Sequence, residues 1–177
     1  EKPHINCYDL AYQNDAIINA CVAASLDNRE ENTVKVLFYP TYMKPNDGLM
    51  NLNYYDVISA MDLGVFPSRY EPFGYTPVEA AVKMDVAITS DMTGFGRFIM
   101  GKVKGKKSGV IVIRMAGRSA SQSSDSLARE LERVYRLPQK KLDALKESAY
   151  AAMKYVDWGA LVKNYYRAYG LALRKVS

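Results

Sequence analysis

Apolar residues Ile17, Ile18, Cys21 and Val22 recur at helical spacing, which predicts a helix over 15–26 capped by Asn14 or Asp15. A polar stretch follows, and Val34–Tyr39 then reads as a strand stopped by Pro40. Residues 41–53 are rich in Pro, Asn and Gly and read as a loop. Tyr54–Met61 predicts a short helix, and Leu63–Phe66 a short, fully apolar strand of the kind found in parallel sheets. A loop over 67–76 leads into a helix opening at Thr76. Val86–Thr89 and Gly109–Ile113 read as two further strands, followed by helices over about 121–136, 138–154 and 157–175. Strands alternating with helices predict an α/β fold with a parallel sheet. Strands 34–39 and 63–66 are expected to be neighbours or nearly so. Ligands in such sheets bind beyond the carboxyl ends of the strands, where loop 67–76 belongs.

Composition narrows the picture. The chain has 177 residues, 49% apolar and 24% charged, which is globular and excludes a disordered or collagen-like chain. No apolar run is long enough to span a membrane. The start, Glu1-Lys-Pro-His4, has neither an initiator Met nor the apolar stretch of a secretory signal. It reads as a piece of a longer cytoplasmic protein. One His and two Cys disfavour a zinc site and exclude a Ser-His-Asp or Cys-His centre in the body of the chain. Cys21 reads as a buried small hydrophobe. The net charge of +5 raises nucleic-acid binding, yet the basic run Lys102–Lys107 has no interleaved aromatics to stack on bases. An anionic ligand explains the charge equally well.

The chemistry concentrates in Glu71-Pro-Phe-Gly-Tyr-Thr-Pro-Val-Glu79. Thr76 suits an N-cap, Pro77 the first helical position and Glu79 the third, which together predict a capping box. Gly74 lets backbone approach a ligand, and the N–H groups of Tyr75, Thr76 and the first turn would meet phosphate. The plainer alternative is that Glu79 only caps and Glu71 is a solvated loop carboxylate.

This segment resembles the E-x7-E signature of retaining glycosyltransferases of the GT-B architecture. Leu63–Ala80 as a whole is similar to the glycogen synthases of the animal and fungal type. So are Val34–Pro40, Thr89–Phe98, Val156-Asp-Trp158, Tyr165–Ala168 and Ala172-Leu173. The resemblance implies a Rossmann-like parallel sheet flanked by helices, the C-terminal half of a GT-B enzyme. It implies that residues 1–156 are most of the nucleotide-sugar-binding domain, starting after its first strand, and that 157–177 form a helix crossing to an N-terminal domain. That domain, and the Arg and Lys holding the diphosphate, are expected upstream.

The implied reaction is transfer of glucose from UDP-glucose to the non-reducing end of an α-1,4-glucan with retention, the acceptor lying mainly on the other domain. Glu71 matches the glutamate facing the glucose ring, and Glu79 the one accepting from the ribose hydroxyls. Gly74, Tyr75 and Thr76 match the turn that meets phosphate and sugar oxygens. Tyr42 and Tyr54 match positions with aromatic rings around uracil; the alternative is that both are ordinary core-edge tyrosines among 14. No cofactor and no metal are implied, and no Asp-x-Asp motif is present. Nucleic-acid and membrane partners are not expected; a homo-oligomer is. The chain alone is expected to be inactive. Another retaining sugar transferase, or a non-catalytic sugar-nucleotide-binding module, are the alternatives.

Two departures stand out. Asp62 occupies a position where family members carry His, and its shorter, oppositely charged side chain would serve poorly near the phosphates. The region of the family's Arg-rich helix holds Lys140, Lys141 and Lys146 instead, and reads as a solvated face. Finally, Trp158, Leu161, Val162, Tyr165, Tyr169, Leu173 and Val176 form an apolar stripe on the last helix. Either the stripe is this domain's own core, or it belongs against a partner.

Overall fold

The computed structural model describes residues 14–103 and 108–176. His4, Cys7 and Lys104–Lys107 lie outside the described residues. The chain divides between Tyr54 and Tyr55 into two compact units.

In the first unit, α1 (Ala16–Ala23) starts where the sequence predicts. Its N-cap is Asp15, whose Oδ1 accepts from the N–H of Ile17 at 2.8 Å and of Ile18 at 3.2 Å. Cys21 is only partly buried, so the expectation of a core position is corrected. The predicted strand at 34–39 does not form. Its backbone groups are engaged by a side chain instead: the Asn28 amide donates to Val36 O and accepts from Val36 N, each at 2.7 Å. That pair imitates one rung of a ladder and leaves Val36 no backbone groups for a neighbouring strand. Val34 and Leu37 are exposed accordingly. The loop beyond is organised by Asp47, which accepts from the N–H of Lys44, Leu49 and Asn51 and from the Tyr39 hydroxyl. Those donors, the Lys44 N–H first, hold its carboxyl well below the usual carboxylate range.

The helix α2 (Tyr54–Ser59) begins at the boundary. The second unit then alternates β1 (Leu63–Phe66), α3 (Thr76–Val82), β2 (Val86–Ser90), α4 (Gly94–Met100) and β3 (Val110–Ile113). The three strands form one parallel sheet in the order β1-β2-β3, with Leu63 opposite Val86 and Ala87 opposite Val110. It is an open Rossmann-like sheet flanked by helices. β2 is wholly buried. Its alternate side chains feed two cores: Ala87 packs with Ala80, Ala81, Phe95 and Ile99 of α3 and α4, and Val86 and Ile88 with Val134 and Leu145. Those last two come from α5 (Ala120–Tyr135) and α6 (Gln139–Ala152). The alanines let α3 lie close against β2.

The sequence pattern missed α4. Its cap is nonetheless conventional: Thr93 Oγ1 accepts from Gly96 N at 2.9 Å. Phe95, Phe98 and Ile99 give the helical spacing, masked by Gly94 and Gly96.

A 3-10 turn (Met153–Tyr155) joins α6 to the terminal α7 (Trp158–Val176). Of the stripe on α7, no described residue is buried; Trp158 is 63% and Tyr169 60% exposed. The stripe is therefore not the core of its own unit. Trp158, Tyr165 and Tyr169 contact one another in series as tilted rings, with centroids 5.2 and 6.4 Å apart. No helix among the described residues is long and apolar enough to cross a membrane.

Asp62 precedes β1 and so lies at the edge opposite the carboxyl ends of the strands. It is ion-paired with Lys146 at 2.8 Å; the Lys146 side chain is only 19% exposed, which corrects the solvated reading of that residue. Beside them Asp85 is 1% exposed, and its Oδ1 has no hydrogen-bond partner among the described residues. Burial pushes its carboxyl up to about 6; Lys146 opposes this and Asp62 adds to it. Its folded pKa lies above the unfolded value of 3.8, so the stabilisation is present below that value and is lost as pH rises through about 6. The loss is on the order of 3 kcal/mol. Asp85→Asn is expected to remove this slope, so that wild type loses melting temperature relative to the variant between pH 4 and 7. Parallel melting curves across that range would refute it.

Candidate functional site

The loop after β1 carries the E-x7-E pair, and it is built rigidly onto α4. Glu71 and Thr93 form a short parallel bridge. Gly94 N donates to Glu71 O at 3.0 Å, and Phe95 N to Phe73 O at 2.7 Å. The Phe73 ring packs on Phe95, centroids 5.9 Å apart, and on Tyr75, 5.3 Å apart. With backbone and ring both anchored, the Glu71 side chain projects exposed at the carboxyl edge of the sheet.

Gly74 is buried with φ +98°, a left-handed conformation that a side chain would strain. A Cβ there would lie 3.2 Å from Glu71 Cγ, so the Gly74 backbone runs directly beside the first glutamate. Tyr75 follows, 71% exposed, then Thr76, also exposed.

The predicted cap differs in register. α3 begins at Thr76, so Tyr75 is the N-cap and makes no side-chain capping bond; Pro77 is the second helical residue and Glu79 the fourth. The capping box read from Thr76 and Glu79 is thus corrected. The pre-set φ of Pro77 starts the helix without it. The first backbone bond runs from Glu79 N to Tyr75 O at 2.9 Å, so the N–H groups of Thr76 and Val78 precede the helical ladder.

Released from capping, the Glu79 carboxylate accepts from the Tyr55 hydroxyl at 3.1 Å. That bond, together with the carboxylate's charge, raises the phenol's pKa. Lys83 Nζ lies 5.5 Å from the centre of the Tyr55 ring. Tyr55 and Thr93 were not singled out from sequence. Tyr55 lies 24 residues from its partner with no local pattern to mark it; Thr93 had a capping signature.

The fold therefore brings Glu71, Gly74, Tyr75, Thr76 and Glu79 into one loop-and-helix segment. Tyr42 and Tyr54 belong to the first unit; Tyr42 is 86% exposed and so is not a core-edge ring, whereas Tyr54 is partly buried. Among the described residues no group of three or more His, Cys, Asp or Glu could hold a metal ion.

Comparison with known proteins gives one family. The family model described as glycogen synthase matches residues 2–177. The glycogen [starch] synthase of Caenorhabditis elegans is 30% identical over 175 residues, covering 98% of this chain and 26% of the relative. That of Dictyostelium discoideum is 28% identical over 174 residues, covering 98% of this chain and 20% of the relative. Isoform 1 from Saccharomyces cerevisiae is 29% identical over 165 residues, 92% of this chain and 23% of the relative. The chain thus spans between a fifth and about a quarter of the length of these relatives.

Proposed function

Because the chain belongs to the glycogen synthase family, we propose that it is the donor-binding domain of a retaining glycosyltransferase that moves glucose from UDP-glucose to the non-reducing end of an α-1,4-glucan. The observation that carries this is the segment in which an exposed Glu71, anchored through its backbone to α4, lies beside the Gly74 backbone and eight residues before Glu79, which sits in the first turn of α3.

Each residue then has a role. The Glu71 carboxylate faces the sugar and offsets positive charge as the bond to UDP breaks. The backbone at Gly74, Tyr75 and Thr76 meets the phosphate and sugar oxygens, in keeping with N–H groups that precede the α3 ladder. Glu79 accepts from the ribose hydroxyls, and Tyr55 fixes its carboxylate. Tyr42 and Tyr54 flank the uracil. The diphosphate charge is met by cations outside this chain and by no metal ion. The acceptor binds mainly on an opposing domain, so the chain alone binds UDP and transfers nothing. Residues 1–156 form most of the donor domain. The exposed stripe of α7, over 157–177, packs on the opposing domain or on a second copy. The protein works in the cytoplasm, with no nucleic-acid or membrane partner.

Calorimetric titration of the chain with UDP tests this. The double variant Tyr54→Ala, Glu79→Ala loses a base stack and hydrogen bonds to a carboxylate, and is expected to bind more than about tenfold more weakly. Unchanged affinity would contradict the assignment, as would glucosyl transfer by the isolated chain.

A further inference from the structure

A second polar recess, of about 490 Å³, opens at the carboxyl end of β3, and the donor site makes no use of it. Arg114, Arg118 and Arg129 line it, with Gln122 and Asp125. Its frame is fixed before any ligand arrives. Asp91 Oδ1 accepts from Met115 N at 2.7 Å and Ala116 N at 3.0 Å, and Arg118 N donates to Met115 O at 3.1 Å. Gly117, at φ +70°, completes the turn. Ser119 and Gln122 then cap α5 reciprocally.

Two guanidinium groups converge on one neutral atom. Arg118 Nη1 at 2.9 Å and Arg129 Nη2 at 3.1 Å both donate to Ser126 Oγ, whose own hydrogen goes to Gln122 O at 2.8 Å. Ser126 is buried, so the convergence is held from below. The ion pairs among the described residues involve none of these three arginines. Like charges drawn together over a hydroxyl repel, and the single carboxylate on the wall, Asp125, is paired with none of them. Arg118 and Arg129 keep donors beyond the one each spends on Ser126, in a planar fork that suits a tetrahedral oxyanion. The first turn of α5 adds a favourable dipole, although its capping box already occupies the Gln122 N–H. The arginines, rather than the helix end, make the site. The recess is larger than one phosphate, leaving room for the body that carries it.

We propose that this recess binds the phosphate group of a small phosphorylated ligand, gripped by Arg118 and Arg129 with Arg114 on the third side. It is distinct from the loop of Glu71 and Glu79 and does not depend on the donor reading.

The test uses the 177-residue chain titrated with inorganic phosphate, against chloride at matched ionic strength, followed by amide-resolved NMR. Saturable shifts are expected at Gly117, Arg118 and Gln122. Arg118→Gln with Arg129→Gln should weaken binding by about tenfold or more. Arg118→Lys, which keeps the charge and loses the fork, should fall between that pair and wild type. The double variant should lose the shifts at Gly117, Arg118 and Gln122 while leaving any shift at residues 71–79 unchanged, which separates this site from the donor site. The absence of saturation would overturn the proposal. So would wild-type affinity in the double variant, or shifts confined to residues 71–79. Circular dichroism of each variant checks that it is native.

Discussion

Glu71→Gln, introduced into the whole enzyme of which this chain is the proposed donor domain, is expected to lower kcat by about 10²–10³-fold with little change in donor KM. The substitution is isosteric, and the backbone contacts that position residue 71, through Gly94 N and the bridge to Thr93, do not involve the side chain. The loop should stay in place while its negative charge is lost. That charge matters chiefly when the sugar becomes electron-poor, so the effect falls on the transition state rather than on ground-state binding. Steady-state kinetics of the purified variant read both parameters. A rise in KM with kcat unchanged would mean that Glu71 only binds the donor.

Gly96→Ala is expected to damage the fold more than any other small substitution near the site. A Cβ at residue 96 would lie 1.9 Å from the backbone oxygen of Ser90 and 2.8 Å from Thr93 Oγ1. At Gly94 it would lie 2.1 Å from Pro72 O. Neither obstacle is the free end of a flexible side chain, so the start of α4 would have to separate from β2 or from the Glu71 loop. The cost should reach or exceed the upper end of the overpacking range, about 3 kcal/mol. Gly101→Ala is the control: it adds the same methyl at the other end of α4, where the nearest atom is 3.6 Å away. Denaturant unfolding midpoints should drop steeply for the first two variants and hardly at all for the third. A Gly96→Ala protein as stable as Gly101→Ala would show that the junction between loop and helix is looser than described.

These two expectations rest on different parts of the fold, and the parts were not equally legible in the sequence. The strands at Leu63–Phe66 and Val86–Ser90 announced themselves as short, mainly apolar runs, although only the second is buried throughout and Val65 of the first is exposed. Val34–Tyr39 carried the same signal and yet forms no strand. A side chain eight residues away, Asn28, takes the hydrogen bonds of Val36, and nothing in local hydrophobicity reports that. α4 was hidden for the opposite reason. Its two glycines lower helix propensity, but they are required by the closeness of Pro72 and Ser90. The candidate site was visible as a motif, and its Glu79 was read as a capping residue as well. The structure begins α3 at Thr76 and gives Glu79 to Tyr55. That exchange depends on tertiary contact and is invisible to spacing. The apolar stripe of α7 was equally plain in sequence, but only its exposure distinguishes a face awaiting a partner from a core.

The central claim is that the loop from Glu71 to Glu79 holds the sugar nucleotide, and amide-resolved NMR of the chain titrated with UDP tests it most directly. The account predicts saturable shifts centred on Gly74, Tyr75, Thr76 and Val78, which in Glu79→Ala appear only at several-fold higher UDP. Shifts that leave residues 71–79 untouched, or that appear at unchanged UDP in Glu79→Ala, would contradict it.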